Sequence, residues 1–360
     1  MRESLKSMLW FLRFLLALPV GLLYGLFMQL RNWLYDRKWL PIYELPCFVI
    51  SVGNLTLGGS GKTPFSLLLL AWLSRRGLKA AYLSRGYKRL SKGFAEVELH
   101  APQAGLMYGD EALLVKERFP ECPVAVCEDR VLGGRKLLER YPDLQVLVLD
   151  DAFQHRRLHR HLDILLIDTE SPIWRDWIFP IGRLREPLRG YRRAHLFVLN
   201  YKAGPPKKSP PSFTLAGPTL SVRYEAIGLK PAFPELAALE LEAVQNRSVI
   251  AFCGIANPES FERLLRYIRL YVIKIFTFPD HYIYKLADMR RIRKLFHKVQ
   301  HQLRSHNILL LTTEKDLMRL RNTEALAELK GLPLYALQIE MQPLSPESME
   351  KILSQLIKLS

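Results

Sequence analysis

The stretch LTLGGSGKTP, residues 55–64, decides the reading of this chain. Its second half, Gly61-Lys62-Thr63, matches the end of the G-x-x-x-x-G-K-[ST] pattern. There, backbone N–H groups turn inward around a phosphate, the lysine reaches the β- and γ-phosphates, and the hydroxyl faces magnesium. Thr56 stands where that pattern has its first glycine, while Gly58 and Gly59 still let the backbone curl. CFVISVGN (47–54) before it reads as a short buried strand, and PFSLLLLAWLSRRG (64–77) after it as a helix whose N-terminus favours anions. The residues expected to hold a nucleotide's phosphates are therefore Thr56, Gly58, Gly59, Ser60, Gly61, Lys62 and Thr63.

The alternation continues downstream. AAYLSRG (80–86), PVAVC (123–127), LQVLVLDD (144–151), LDILLID (162–168) and AHLFVLN (194–200) read as strands, with helices at DEALLVKERF (110–119) and GGRKLLERY (133–141). Continuous Val/Ile/Leu strands alternating with helices predict a parallel sheet covered on both faces. YKAGPPKKSPPSF (201–213) is too rich in proline and lysine for a helix or a central strand and reads as a linker. A second α/β series follows: SVIAFCGI (248–255), a helix capped by Asn257 with Pro258 in its first turn, IKIFTF (273–278), a helix over 286–303, NILLLTT (307–313) and a last helix MEKILSQLIKL (349–359). The expected organisation is a hydrophobic membrane-associating segment (1–45), a P-loop core (46–200), a linker region (201–245) and a smaller α/β domain (246–360).

Composition narrows the partners. With 49% hydrophobic and 24% charged residues this is an ordinary folded chain, which excludes disordered and collagen-like classes. A net charge of +17 implies an anionic partner: nucleic acid, acidic headgroups or a phosphorylated substrate. The four cysteines form no CxxC and no zinc spacing, as expected of reduced thiols in a cytosolic domain. MLWFLRFLLALPVGLLYGLFMQL (8–30) is almost wholly apolar apart from Arg13, and is long enough for a bilayer core of about 30 Å. It reads as a membrane-inserted or interfacial anchor, with Trp10, Trp33, Tyr35 and Trp39 suited to an interfacial belt.

A P-loop needs an acidic residue at the end of a neighbouring strand to hold magnesium, and VLVLDD supplies Asp150 and Asp151. A guanine-specific GTPase should carry N/T-K-x-D, whereas TTEKD (312–316) places Glu314 before the lysine, and the LSGGQ of an ABC ATPase is absent. What stays is a kinase or small ATPase. For a kinase, the base that takes the acceptor's proton has three candidate locations: Asp110 and Glu111, His155, or Asp280 and His281.

Together, SVGNLTLGGSGKTP, LSRGY (83–87), GDE (109–111), LDDAFQHRRL (149–158), GRLREP (182–187), CGIANPESF (253–261), FPDH (278–281) and TTEKD run in an order that resembles the tetraacyldisaccharide 4′-kinase (lipid A 4′-kinase) family. The resemblance implies two α/β domains and ATP- and Mg2+-dependent phosphorylation of the 4′-hydroxyl of a tetraacyl disaccharide 1-phosphate, giving lipid IVA. By motif, Lys62 and Thr63 meet phosphate and Mg2+, Asp110 acts as base, Asp150 and Glu111 join the metal set, and Asp151 and His281 complete the catalytic group. The implied place is the cytoplasmic face of the bacterial inner membrane, against anionic headgroups, with no nucleic-acid partner. Two positions depart from the family: Ala152 stands where glycine is usual, and Tyr282 where a second histidine is common. The alternatives are a membrane-tethered P-loop ATPase acting on nucleic acid, for which +17 would be a phosphate-backbone footprint, and a kinase of another amphiphilic sugar.

Overall fold

The computed structural model describes residues 2–202, 214–303 and 307–358, with side chains from residue 17 onward. Its strands are β1 (Phe48–Gly53), β2 (Ala80–Ser84), β3 (Ala95–Glu96), β4 (Val124–Val126), β5 (Val146–Asp150), β6 (Leu162–Asp168), β7 (Leu196–Asn200), β8 (Thr219–Pro231), β9 (Ser248–Cys253), β10 (Tyr271–Thr277), β11 (Ile308–Thr313) and β12 (Leu334–Pro343). The helices are α1 (Arg2–Asp36), α2 (Lys62–Arg75), α3 (Ala104–Tyr108), α4 (Asp110–Arg118), α5 (Arg130–Arg140), α6 (Leu241–Val244), α7 (Pro258–Tyr267), α8 (Leu286–Leu303), α9 (Glu314–Leu320), α10 (Glu324–Ala327) and α11 (Pro346–Leu356).

All the strands join one sheet in the order β10-β9-β11-β12-β8-β7-β6-β1-β5-β2-β4-β3. The fold is α/β and mostly parallel, as expected, with antiparallel pairing at β8–β12 and at the β3–β4 edge. The β8–β12 seam was not anticipated. Residues 203–213 of the expected linker lie outside the described residues. After them the 201–245 region contributes a strand of 13 residues, paired parallel to β7 and antiparallel to β12. Its burial is mixed along its length, so no period-2 or continuous apolar signal marks it in the sequence.

The helix after the P-loop illustrates why these residues adopt these elements. Pro64 falls in the first turn of α2, where its missing N–H is no loss. Phe65, Leu69 and Leu73 are fully buried against the sheet, each contributing about 1.5–3 kcal/mol by burial. Gly77, at φ 68°, ends the helix in a Schellman turn: its N–H reaches the Ser74 carbonyl and the Leu78 N–H that of Leu73. Helix α5 begins earlier than the glycine pair suggested, because Asp129 caps it by accepting from the N–H groups of Val131 and Leu132. One face of the N-terminal half has its own apolar core around Val49, Leu83 and Leu147; the core on the other face runs on into the C-terminal half through Leu317, Met341 and Leu353; and the C-terminal half has two more, under α8 and under α7.

Helix α1 is continuous over 35 residues. The part whose side chains are described lies along the protein, docked by one face. Tyr24 donates to the Arg185 carbonyl at 2.6 Å, Arg31 to that of Gln154 at 2.6 Å, and Asn32 to the Glu186 carboxylate at 2.7 Å. The other face leaves Val20, Leu22, Leu23, Leu26, Phe27 and Leu30 exposed. Among the described residues no helix is long and apolar enough to cross a membrane.

Candidate active site

The pairing of β1 with β5 sets Val52 opposite Asp150, so the loop leaving β1 starts beside Asp150 and Asp151. Gly58 has φ 104°, and Gly61, at φ 95°, is the left-handed residue that starts α2. Thr56 is buried and bridged to Leu184, and Ser60 and Thr63 are buried at the mouth of the helix. A Cβ built on Gly59 would lie 3.7 Å from Ala256 Cβ, so the loop passes close to the C-terminal half. Lys62 Nζ stands 3.4 Å from Asn54 Oδ1 and 3.5 Å from Asp151 Oδ1.

The two aspartates differ. Asp150 is buried and accepts from the Tyr82 hydroxyl at 2.7 Å, and burial raises its pKa. Asp151 has φ 48° and takes two hydrogen bonds from Arg185 Nη1, at 2.7 and 2.8 Å. Burial pushes its pKa up too, but the charges of Lys62 and Arg185 outweigh that and hold it at about 2.

The second cluster draws on both halves of the chain. Asp110 opens α4 but does not cap it; Gly109 holds the cap position, and the Asp110 side chain turns to the C-terminal half. Its Oδ2 accepts from Arg319 Nε at 2.8 Å and also from Arg319 Nη2, and its Oδ1 lies 3.5 Å from His281 Nδ1. Arg319 spans onward, with Nη1 donating to Asp316 Oδ1 at 2.8 Å, and the Asp316 carboxylate receives the Gly254 N–H and the Tyr284 hydroxyl. Glu111 receives Lys315 Nζ at 3.0 Å. His281, at φ 58°, is a second site residue in a strained left-handed conformation, with the Tyr87 ring edge-on to its imidazole.

Charge follows from this geometry. Burial works against the Asp110 carboxylate, but the Arg319 guanidinium beside it holds its pKa well below the usual range. Burial and then the Asp110 charge raise Glu111 to about 7. Burial lowers the pKa of His281, yet Asp110 and Glu111 together raise it above its usual value. His155, the other candidate base, is driven to about 4 by burial and by Arg130, and has no part in this cluster. The two clusters are neighbours: Lys315 is close enough to pull on the Asp150 carboxyl, and Glu111 to push up Tyr82, the partner of Asp150.

A glycine turn with a lysine beside a helix N-terminus, near a buried carboxylate–histidine pair, is an arrangement that transfer of a terminal phosphoryl group to an alcohol can use. The model of the family described as tetraacyldisaccharide-1-P 4′-kinase matches residues 12–358. This chain belongs to that kinase family. A tetraacyldisaccharide 4′-kinase of Cytophaga hutchinsonii is 38% identical over 84% of this chain and 84% of its own length. The Aquifex aeolicus kinase is 36% identical over 85% of this chain and 90% of its own. A crystal structure of "apo" form LpxK from Aquifex aeolicus in complex with ATP superposes with a TM-score of 0.74 at 33% identity, covering 95% of this chain and 98% of that one. The chain is thus an ATP-using tetraacyldisaccharide 4′-kinase of lipid A synthesis.

In this kinase, ATP and magnesium fit the residues at the P-loop. Ser60 Oγ and Asp150 Oδ1 are buried there without a hydrogen-bond partner among the described residues, which is costly unless a ligand supplies one. The sequence reading missed Arg319, Lys315 and Arg185. Arg185 lies in GRLREP, which counted only as part of the family resemblance. Arg319 follows Asp316 by three positions on α9, a spacing that pairs them on one helix face and was available as a signal.

Proposed function

We propose that this kinase phosphorylates the 4′-hydroxyl of its lipid disaccharide by direct in-line transfer, with Asp110 as the proton acceptor. The reading rests on two neighbouring clusters: Lys62 beside Asp151 at the glycine turn, and Asp110 beside His281, the second near enough that Lys315, bonded to Glu111, acts on the Asp150 carboxyl of the first. The hydroxyl oxygen attacks the γ-phosphorus, the bond to the β–γ bridging oxygen breaks, ADP leaves, and the hydroxyl proton passes to Asp110. Lys62 and the loop amides neutralise the phosphate charge. An Asp110 carboxylate held at low pKa is a weak base, which suits a loose transition state that asks for late proton removal and strict orientation of the attacking oxygen. His281 orients that carboxylate. Thr63 and Asp150 would hold Mg2+, which supplies charge neutralisation on the phosphate oxygens when bound. Glu111, already paired with Lys315, sits on the acceptor side with Asp110.

The outward face of α1, continued by exposed Trp39, Trp177 and Phe179, would lie in the interface of the inner membrane's cytoplasmic leaflet, with the basic surface meeting anionic headgroups. We further propose that the P-loop core (46–200) and the C-terminal domain (246–360) are two domains that close on the substrate, with β8 in the region between them. The test is incubation of purified protein with ATP, Mg2+ and tetraacyldisaccharide 1-phosphate in detergent micelles. The expected product has gained one phosphate on the distal sugar, with no phosphoprotein trapped during turnover. ATP hydrolysis that needs RNA or DNA, without transfer to the glycolipid, would overturn this reading.

A further inference from the structure

The phosphate-binding loop is also gripped from behind, by residues outside its motif. Asn200, the last residue of β7, is fully buried, and both ends of its amide are engaged. Nδ2 donates to the Ser60 carbonyl at 3.0 Å and to the Tyr224 hydroxyl at 3.0 Å, while Oδ1 accepts the Lys202 N–H at 2.9 Å. An asparagine is one of the few side chains that offers two donors and an acceptor in so small a volume, and the Lys202 N–H fixes which way its amide points. The approach is close. A Cβ on Gly61 would fall 2.5 Å from Asn200 Nδ2, 2.5 Å from the Tyr224 hydroxyl and 3.0 Å from Met341 Cε, so the loop turns directly against β7, β8 and β12.

We propose that Asn200 and Tyr224 are positioning residues for the nucleotide, acting through the Ser60–Gly61 peptide. In a planar trans peptide the C=O and N–H point in opposite directions. Anchoring the Ser60 carbonyl on the sheet side therefore aims the Gly61 N–H at the polyphosphate. Tyr224 holds Asn200 in place and belongs to β8, where it is paired with Met341 of β12. The latch thus ties the phosphate loop to the strand pair that joins the two halves of the sheet. The inference rests on the reading of residues 54–63 as the nucleotide site.

Two variants test it. Asn200→Ala removes the anchor, and Tyr224→Phe removes one hydroxyl while keeping the ring. The loss of a buried hydrogen bond that orients a donor predicts a KM for MgATP raised about 10-fold in the first and about 3-fold in the second. The KM for the disaccharide lipid should be unchanged in both, a split that a merely structural role would not produce. Fluorescent-nucleotide titration should show the same ranking in Kd. Affinities for MgATP within about 2-fold of wild type in Tyr224→Phe and in folded Asn200→Ala would overturn the proposal. If Asn200→Ala does not fold, Tyr224→Phe decides alone. A wild-type protein that binds no MgATP would instead overturn the nucleotide reading itself.

Discussion

At the P-loop one unbroken stretch, residues 54–63, supplies the glycine turn, the lysine and the hydroxyl. At the acceptor end Asp110 meets Arg319, 209 positions away, and Lys315 reaches Glu111 across 204. The first region works through backbone N–H groups whose directions are set by local φ angles, such as 95° at Gly61. The second works through side-chain charges, buried together, that no local conformation brings into contact. A contiguous site can be damaged only piecemeal, whereas a site assembled by ion pairs across two halves depends on each partner for both its charge and its place.

The contrast can be broken most sharply at Lys62. Lys62→Ala removes the cation proposed to stand beside the transferred phosphate and should lower kcat by about 10³- to 10⁵-fold, with weaker nucleotide binding, as read by steady-state kinetics. Asp110→Asn should lower kcat by about 10²- to 10⁴-fold while leaving MgATP affinity nearly intact, because the described partners of the Asp110 carboxylate are Arg319 and His281 rather than loop residues. Unchanged turnover would remove Asp110 from the mechanism. Arg319→Ala leaves the Asp110 and Asp316 carboxylates buried without their shared cation, so denaturant unfolding should show a loss of about 3–5 kcal/mol. Arg319→Lys should recover part of it, and no recovery would point to the fork geometry rather than the charge.

The smallest effect concerns pH. Glu111 is held at about 7 in the folded chain, above its value of 4.5 in the unfolded chain. The folded state therefore binds more protons between those values, and this group's contribution to stability falls as pH rises through that window and levels off above about 7. Glu111→Gln should accordingly gain in relative melting temperature between pH 5 and pH 8. Asp151 runs the other way: its pKa is depressed to about 2, so its contribution is present above the unfolded value of 3.8 and lost as pH falls through about 2. A Glu111→Gln difference that is flat across pH would show that its carboxylate is not strained by Asp110.

The strands that carry the P-loop and Asp150 were legible because strands buried on both faces are written as unbroken Val/Ile/Leu, and helix α7 because Asn257 and Pro258 announce its start. Strand β8 was not. It lies in a region opened by a proline-rich run, with half-exposed residues through its middle, and only pairing with β7 and β12 makes it a strand. Helix α9 was hidden for a similar reason. TTEKD was weighed as a base-recognition motif, and its role as a Thr313-capped helix start pointing Lys315 and Arg319 at α4 needs the other half of the molecule to be visible.

By itself the sequence determined the α/β class, the phosphate loop with its lysine, and the kinase family, because each rests on residues near one another in the chain or in fixed order along it. Only the tertiary structure decided that Asp110 is a clamped anion rather than a helix cap, that Arg319 and Lys315 neutralise the acceptor end, and that Asn200 stands behind the P-loop. Those properties come from burial and from Coulomb interactions at a few ångströms, and such distances between residues far apart in the chain exist only once the sheet has closed.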